Sequence, residues 1–167
     1  MAIIKQTNRI VIREFLPEEQ TIYLNHFNDE AVTLYLPKRS REERINILST
    51  ALKQYGVTDK LGIWGMFNKN GGDLIGSCLL RTFNNSERGV IELGYSMEKK
   101  YWGLGLGTEM AVAMVEYAFT DPNTTQVVAV TDLDNIGSQR VLEKAGLKRV
   151  ENLLRGGEEL AYFKSGR

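Results

Sequence analysis

The stretch from Thr108 to Phe119 most limits what this chain can become. Apart from Thr108, Glu109 and Glu116 it is apolar or aromatic. A helix that is apolar nearly all round has to be buried, so the rest of the chain must wrap it. Pro122 ends the run. Directly before it lies Tyr101-Trp102-Gly103-Leu104-Gly105-Leu106-Gly107-Thr108, with three alternating glycines.

The flanking sequence supplies the wrapping. Ile10 to Phe15 reads as a strand, and Pro17-Glu18-Glu19-Gln20 as a helix start running to about Phe27. Asp29 to Tyr35 reads as a second short helix. Ser40-Arg41-Glu42-Glu43 has the spacing of a capping box and opens a helix with Ile45, Leu48, Leu52 and Tyr55 on one face, closed at Gly56. Leu61 to Asn68, Leu74 to Phe83 and Val90 to Met97 form a three-strand meander, with turns at Asn70-Gly71-Gly72 and Asn84-Asn85-Ser86. Gln126 to Thr131 is a short β-branched strand. Asn135 to Ala145 is a helix closed by Gly146, and Leu147 to Leu154 with Glu159 to Lys164 make a last hairpin about Gly156-Gly157. The expected fold is a single-domain α/β structure with a mixed, mostly antiparallel central sheet flanked by helices. Its crossover after Met97 should be parallel.

Bulk properties narrow the function. At 167 residues the chain suits one domain, and 43% apolar and 25% charged residues are ordinary for a globular protein. The 21 basic and 21 acidic residues cancel, which argues against a general nucleic-acid binder. Cys78 is the only cysteine, so no intrachain disulfide framework exists and a reducing cytoplasm is the expected home. Lys5, Gln6, Asn8, Arg9, Arg13 and Glu14 interrupt any secretory apolar segment. No apolar run approaches the length of a spanning helix, and neither a membrane nor a metal is called for.

The glycine loop carries the chemistry. Its amides are unshielded by Cβ atoms and sit at the positive end of a helix, which suits a phosphate, with a purely structural turn as the alternative when the loop is read alone. A dinucleotide fingerprint fails, because Thr108 or Met110 stands where its third glycine belongs, and a nucleotide P-loop fails for want of a following Lys. A second motif, Asn135-Ile136-Gly137-Ser138-Gln139-Arg140-Val141-Leu142-Glu143-Lys144-Ala145-Gly146-Leu147, follows the next strand. Read alone, its Asn135 and Ser138 are helix-capping residues.

Together the two motifs resemble the GNAT superfamily of acetyltransferases. Glu92-Leu93-Gly94-Tyr95 and Tyr101-Trp102-Gly103 are similar to its Rim-type branch, which includes acetyltransferases of ribosomal-protein N-termini. The resemblance covers about Val90 to Leu147. It implies acetyl-CoA as cosubstrate, an amine acceptor, a monomer or homodimer, and direct transfer with no acyl-enzyme. A covalent route would want Cys78 or a serine beside a histidine, and the only histidine, His26, lies in the N-terminal helical region.

In the family the loop opens with Gln or Arg. Trp102 stands there, which leaves the amides of Gly103, Leu104, Gly105, Leu106, Gly107 and Thr108 to hold the pyrophosphate. The resemblance implies that the strand Leu93 to Met97, with Leu93, Gly94 and Tyr95, splays from its neighbour, supplies an N–H to the thioester oxygen and pairs with pantetheine. Glu92 is the candidate base, with a solvent-facing acid as the alternative. Ser138 is the candidate acid toward the thiolate, with a helix-start hydroxyl as the alternative. Asn135 is expected at the pantetheine arm or the attacking region, Lys144 and Arg140 near the adenosine phosphates or simply on a solvated face, and Tyr95 in the acceptor channel or the core. A non-catalytic acyl-CoA sensor and an unrelated phosphate-binding module are the competing readings. The segment Pro17 to Tyr55 mixes charges of both signs and selects no acceptor.

Overall fold

The computed structural model describes residues 1–58, 60–83 and 88–167. The turn expected at Asn84-Asn85-Ser86 lies outside the described residues. In chain order the elements are β1 (Ile3–Gln6), β2 (Ile10–Arg13), α1 (Gln20–Asn28), α2 (Glu30–Thr33), α3 (Arg41–Gln54), β3 (Gly62–Asn68), β4 (Leu74–Thr82), β5 (Val90–Met97), α4 (Leu106–Phe119), β6 (Gln126–Asp132), α5 (Ile136–Lys144), β7 (Lys148–Arg155) and β8 (Glu158–Gly166). The strand β1 was not expected: it is a short edge strand whose polar Lys5 and Gln6 hide the β pattern.

The sheet runs β1-β2-β3-β4-β5-β6-β8-β7. Among the described residues its neighbours are antiparallel, except β5 and β6, which are parallel as expected of the crossover through α4. Alternation along the strands divides the apolar residues between two faces. On one face Ile10, Ile12, Trp64, Ile75, Leu80 and Leu93 pack on Met110, Ala111 and Met114 of α4. Each such fully buried aliphatic side chain stabilises the fold by about 1.5–3 kcal/mol. On the other face Phe15 and Phe67 meet Tyr23 and Leu24 of α1 and Leu48 of α3.

Local signals place the helices. Ser40 Oγ accepts from the Glu43 amide and Glu43 returns a bond to the Ser40 amide, both at 3.1 Å, which starts α3. Helix α4 begins at Leu106, two residues before Thr108, because Gly105 takes φ +80° and turns the chain into the helix. Its burial is less complete than its composition implies, since Val112 is 39% exposed on the side away from the sheet.

Candidate active site

Gly103 and Gly105 both lie in the left-handed region, at φ +74° and +80°. Side chains are rarely tolerated there. Gly105 is the N-cap of α4 and provides no side-chain oxygen to the helix. By contrast Asp29, Ser40 and Asn135 cap α2, α3 and α5 with side-chain acceptors. The first helical bond runs from the Glu109 amide to the Gly105 carbonyl. The amides of Leu106, Gly107 and Thr108 therefore precede any intrahelical acceptor and point out along the helix axis. Gly107 serves a different need. A Cβ there would stand 3.1 Å from Val141 Cγ2 and 3.4 Å from Met97 Sδ, so the glycine lets α4 approach α5. Lys144, one turn from Val141, and Arg140 are both exposed on α5.

The loop residues divide by burial. Gly103, Leu104 and Gly105 are exposed, Thr108 is half-buried, and Leu106 is buried in the core, so only its backbone is available. Trp102 Nε1–H donates to the Met97 carbonyl at 3.0 Å, tying the loop to the end of β5. Sequence reasoning missed a cation next to these amides. Arg9, in the turn just before β2, donates from Nη1 to the Leu104 carbonyl at 2.8 Å and from Nε to Glu109 at 3.0 Å. Its Nη2 lies 3.4 Å from the position a Gly105 Cβ would occupy.

Beside the loop the sheet opens. Strand β6 pairs with β5 only at Val90↔Gln126, Ile91↔Val127 and Glu92↔Val128. It then follows β8 as far as Asp132↔Leu160, while β5 follows β4 to Met97↔Gly76. The Phe83 amide donates to Val90 and the Glu98 amide to Ile75. With the β4–β5 register, these two bonds turn the backbone of even-numbered β5 residues toward β4 and of odd-numbered ones toward β6. Past the end of the ladder, the N–H and C=O of Tyr95 therefore face a gap wide enough to separate two strands.

Two side chains close the floor of that gap. The Tyr95 hydroxyl and Ser138 Oγ are 2.7 Å apart, and the Ser138 amide donates to Asn135 Oδ1 at 3.1 Å. Asn135 thus caps α5, and Ser138 is bound to β5 as well as standing in the first turn. Burial pushes the Tyr95 phenol up to about 12, so it stays protonated at neutral pH. No tyrosine occurs in the sequence from Thr120 to Ala161, and the hydroxyl beside Ser138 comes instead from the opposite wall.

Glu92 is neither a solvent-facing acid nor a free base. It is 3% exposed. Its Oε1 accepts from Arg155 Nη2 at 2.9 Å, and its Oε2 accepts from Arg81 Nη2 at 3.0 Å and Arg155 Nη1 at 3.1 Å. Burial alone would raise its pKa, but the hydrogen bonds of Arg155 and Arg81, and their charges, hold the carboxyl below the usual range. Both oxygens are occupied and the group is a weak proton acceptor.

On the same face of β5, two residues past Gly94, stands Ser96. It meets His26 of α1, whose Nε2 is 2.8 Å from Ser96 Oγ and whose Nδ1 is 2.9 Å from Glu98 Oε2. His26 is 1% exposed and Ser96 9%. Distance along the chain hid this grouping, since some 70 residues separate α1 from the end of β5. The even-numbered positions of β5 were the one available hint.

Comparison with known proteins bears on this geometry. Residues 9–148 match the family model described as an acetyltransferase (GNAT) domain. The uncharacterized protein YkkB of Bacillus subtilis (strain 168) is 28% identical over 162 residues, covering 94% of this chain and 92% of that protein. The uncharacterized N-acetyltransferase YoaA of the same organism is 28% identical over 156 residues, covering 91% and 86%. Among solved structures, an acetyltransferase (GNAT family) from Bacillus anthracis superposes with TM-score 0.80 at 22% identity, covering 99% of this chain and 98% of that one. The ribosomal-protein-S5-alanine acetyltransferase from Vibrio fischeri gives 0.79 at 18% identity, with 97% and 95% covered. AAC(6')-Ib, solved with paromomycin and acetyl-CoA, gives 0.75 at 18% identity, with 96% and 94% covered. At these identities the structures show a common fold.

Proposed function

The chain belongs to the GNAT acetyltransferase family and is an acyl-CoA-dependent N-acetyltransferase, and on that premise we propose how it works and on what. It transfers acetyl from acetyl-CoA directly to a primary amine, either a protein N-terminus or a small-molecule amine. Similarity to ribosomal-protein acetyltransferases and the Trp102 loop support a place in the Rim-type branch, while the likeness to an aminoglycoside-binding relative keeps small amines in view. One observation carries the reading: the β5–β6 ladder stops at Glu92↔Val128, next to a glycine-capped helix with unpaired amides.

The residues suit acetyl-CoA without added structure. The amides from Gly103 to Thr108 hold the pyrophosphate, with α4 contributing its positive end. Arg140 and Lys144 flank the adenosine phosphates. The Tyr95 backbone pairs with the pantetheine arm in the gap, with Leu93 and Gly94 lining the same strand. When bound, acetyl-CoA supplies a thioester, and an N–H of β5 points at the oxygen that gains charge. Ser138 then hydrogen-bonds the departing thiolate, itself supported by the Tyr95 hydroxyl, while Asn135 fixes the start of α5. A thiol near pKa 8.5 leaves readily, so a hydrogen bond is enough and a full proton transfer from a phenol near 12 is not needed. Glu92 organises the acceptor face by holding Arg81 and Arg155. The buried, unpaired Cys78 suits a cytoplasmic setting.

Screening primary amines for release of coenzyme A thiol tests the reading. Turnover with an N-terminal peptide or a small amine supports it. Tight acetyl-CoA binding with no turnover on any amine would leave an acyl-CoA sensor on the same fold instead.

A further inference from the structure

Direct transfer releases a proton from the attacking amine, and Glu92, doubly paired with arginines, is badly placed to take it. Another titratable group reaches the face of β5 that carries Glu92. His26, the chain's only histidine, crosses from α1 to lie between Ser96 Oγ at 2.8 Å and Glu98 Oε2 at 2.9 Å. Burying an imidazole costs free energy unless its nitrogens are hydrogen-bonded, and both are.

The neighbours determine the tautomer. An ionised carboxylate only accepts, so Nδ1 carries the hydrogen and donates it to Glu98. The lone pair of Nε2 is then left for the Ser96 hydroxyl, which donates its hydrogen inward. The oxygen lone pairs of Ser96 remain to receive a proton from outside. Histidine stays neutral here. Desolvation lowers its pKa below the ordinary 6.5, outweighing the pull of Glu98 and of Asp29 at the end of α1, while Arg44 of α3 adds to the lowering. A neutral imidazole is ready to accept at every pH near 7. Glu98 is partly open to solvent, so the chain of bonds leads from a buried hydroxyl to water.

We propose that Ser96, His26 and Glu98 form a proton relay for the acceptor amine. As the amine nitrogen bonds to the acetyl carbon and the carbon–sulfur bond breaks, one N–H proton passes to Ser96 Oγ. The proton of Ser96 passes at the same time to His26 Nε2. The imidazolium that results is held by the Glu98 carboxylate until water takes the proton, and the thiolate leaves toward Ser138. The relay rests on the transferase reading above. Ser96 is the group that meets the substrate, and His26 and Glu98 act through it.

The test uses the full chain, acetyl-CoA and a peptide with a free N-terminal alanine, followed by thiol release across pH 6 to 10. His26→Gln can bridge Ser96 and Glu98 but cannot take a proton. It should lower kcat at least tenfold at pH 7 with KM for acetyl-CoA unchanged, and the deficit should narrow as pH rises and hydroxide takes the N–H proton in place of the relay. Ser96→Ala, a one-atom deletion, should give the same profile. Thermal melting and acetyl-CoA affinity near wild type show that both variants fold. Imidazole nitrogen NMR of the lone histidine should show the Nδ1–H tautomer. Wild-type kcat and pH profile in folded variants, or an Nε2–H tautomer, overturns the relay. So does an acetyl group found on Ser96 by mass spectrometry when acceptor is withheld, because that marks an acyl-enzyme. A wild-type chain that binds acetyl-CoA and turns over no amine overturns the transferase reading itself, which is a different result.

Discussion

Replacing Gly105 with alanine separates backbone strain from ligand exclusion. At φ +80° a Cβ costs about 1–2 kcal/mol in the folded state. For a chain of this size that is a fall of roughly 2–8 °C in melting temperature. The new methyl would meet only Arg9 Nη2, at 3.4 Å, an ordinary contact, so the fold should survive. The loop amides are where the account places the pyrophosphate. A methyl at the N-cap blocks one or two charge-assisted hydrogen bonds, each contributing about 1.5–3 kcal/mol. Acetyl-CoA affinity should therefore fall at least tenfold. Gly157→Ala is the control: it has the same φ, +80°, in the β7–β8 turn, where a Cβ meets nothing within 4 Å. Calorimetric titration with acetyl-CoA and thermal melting of both variants decide the matter. The expected result is a similar loss of melting temperature in both and a loss of affinity only in Gly105→Ala. Equal affinity in the two would refute the assignment of the loop to the pyrophosphate.

Arg9→Gln should weaken acetyl-CoA about tenfold by freeing the Leu104 carbonyl and removing a cation, and titration over a range of salt should show a shallower dependence than wild type. Ser138→Ala and Tyr95→Phe should each lower kcat about tenfold or more with little change in KM. The double variant should be no worse than either, because the two hydroxyls act as one donor, and steady-state kinetics checks this. Glu92→Gln should cost about 3 kcal/mol by leaving Arg155 and Arg81 poorly paired. The folded Glu92 carboxyl lies below its unfolded value, so its stabilisation is full above about pH 4.3 and fades as pH falls through the folded value. Melting curves should accordingly show the largest gap between Glu92→Gln and wild type at neutral pH and a narrowing gap in acid.

The sequence was most legible where one local signal decides the structure. The capping box at Ser40, the glycine turns, the Val90–Met97 strand and the parallel crossover were all readable from spacing and composition. The glycine loop was readable as a phosphate cradle or a structural turn, and it was the Asn135 to Leu147 motif that tipped the reading toward coenzyme A. What escaped was formed by distant segments. The edge strand β1 has no apolar alternation of its own and exists because β2 offers it a partner. The contact of Arg9 with Leu104 depends on how the β1–β2 turn lies against α4. His26 looked like an isolated helical histidine, since nothing local reveals that α1 lays it across Ser96 and Glu98. Glu92 was read from its strand position alone, and Arg155, which neutralises it, comes from a hairpin more than sixty residues away.

Backbone amide NMR with acetyl-CoA tests the central claim most directly, because the account assigns binding to amides rather than to side chains. Saturating acetyl-CoA should move the amide resonances of Tyr95, Gly103, Gly105, Gly107 and Thr108 together, at one ligand per chain, and leave Gly71, Gly72, Gly156 and Gly157 in place. Unmoved loop and Tyr95 amides under saturation, or shifts confined to the hairpin glycines, would contradict it.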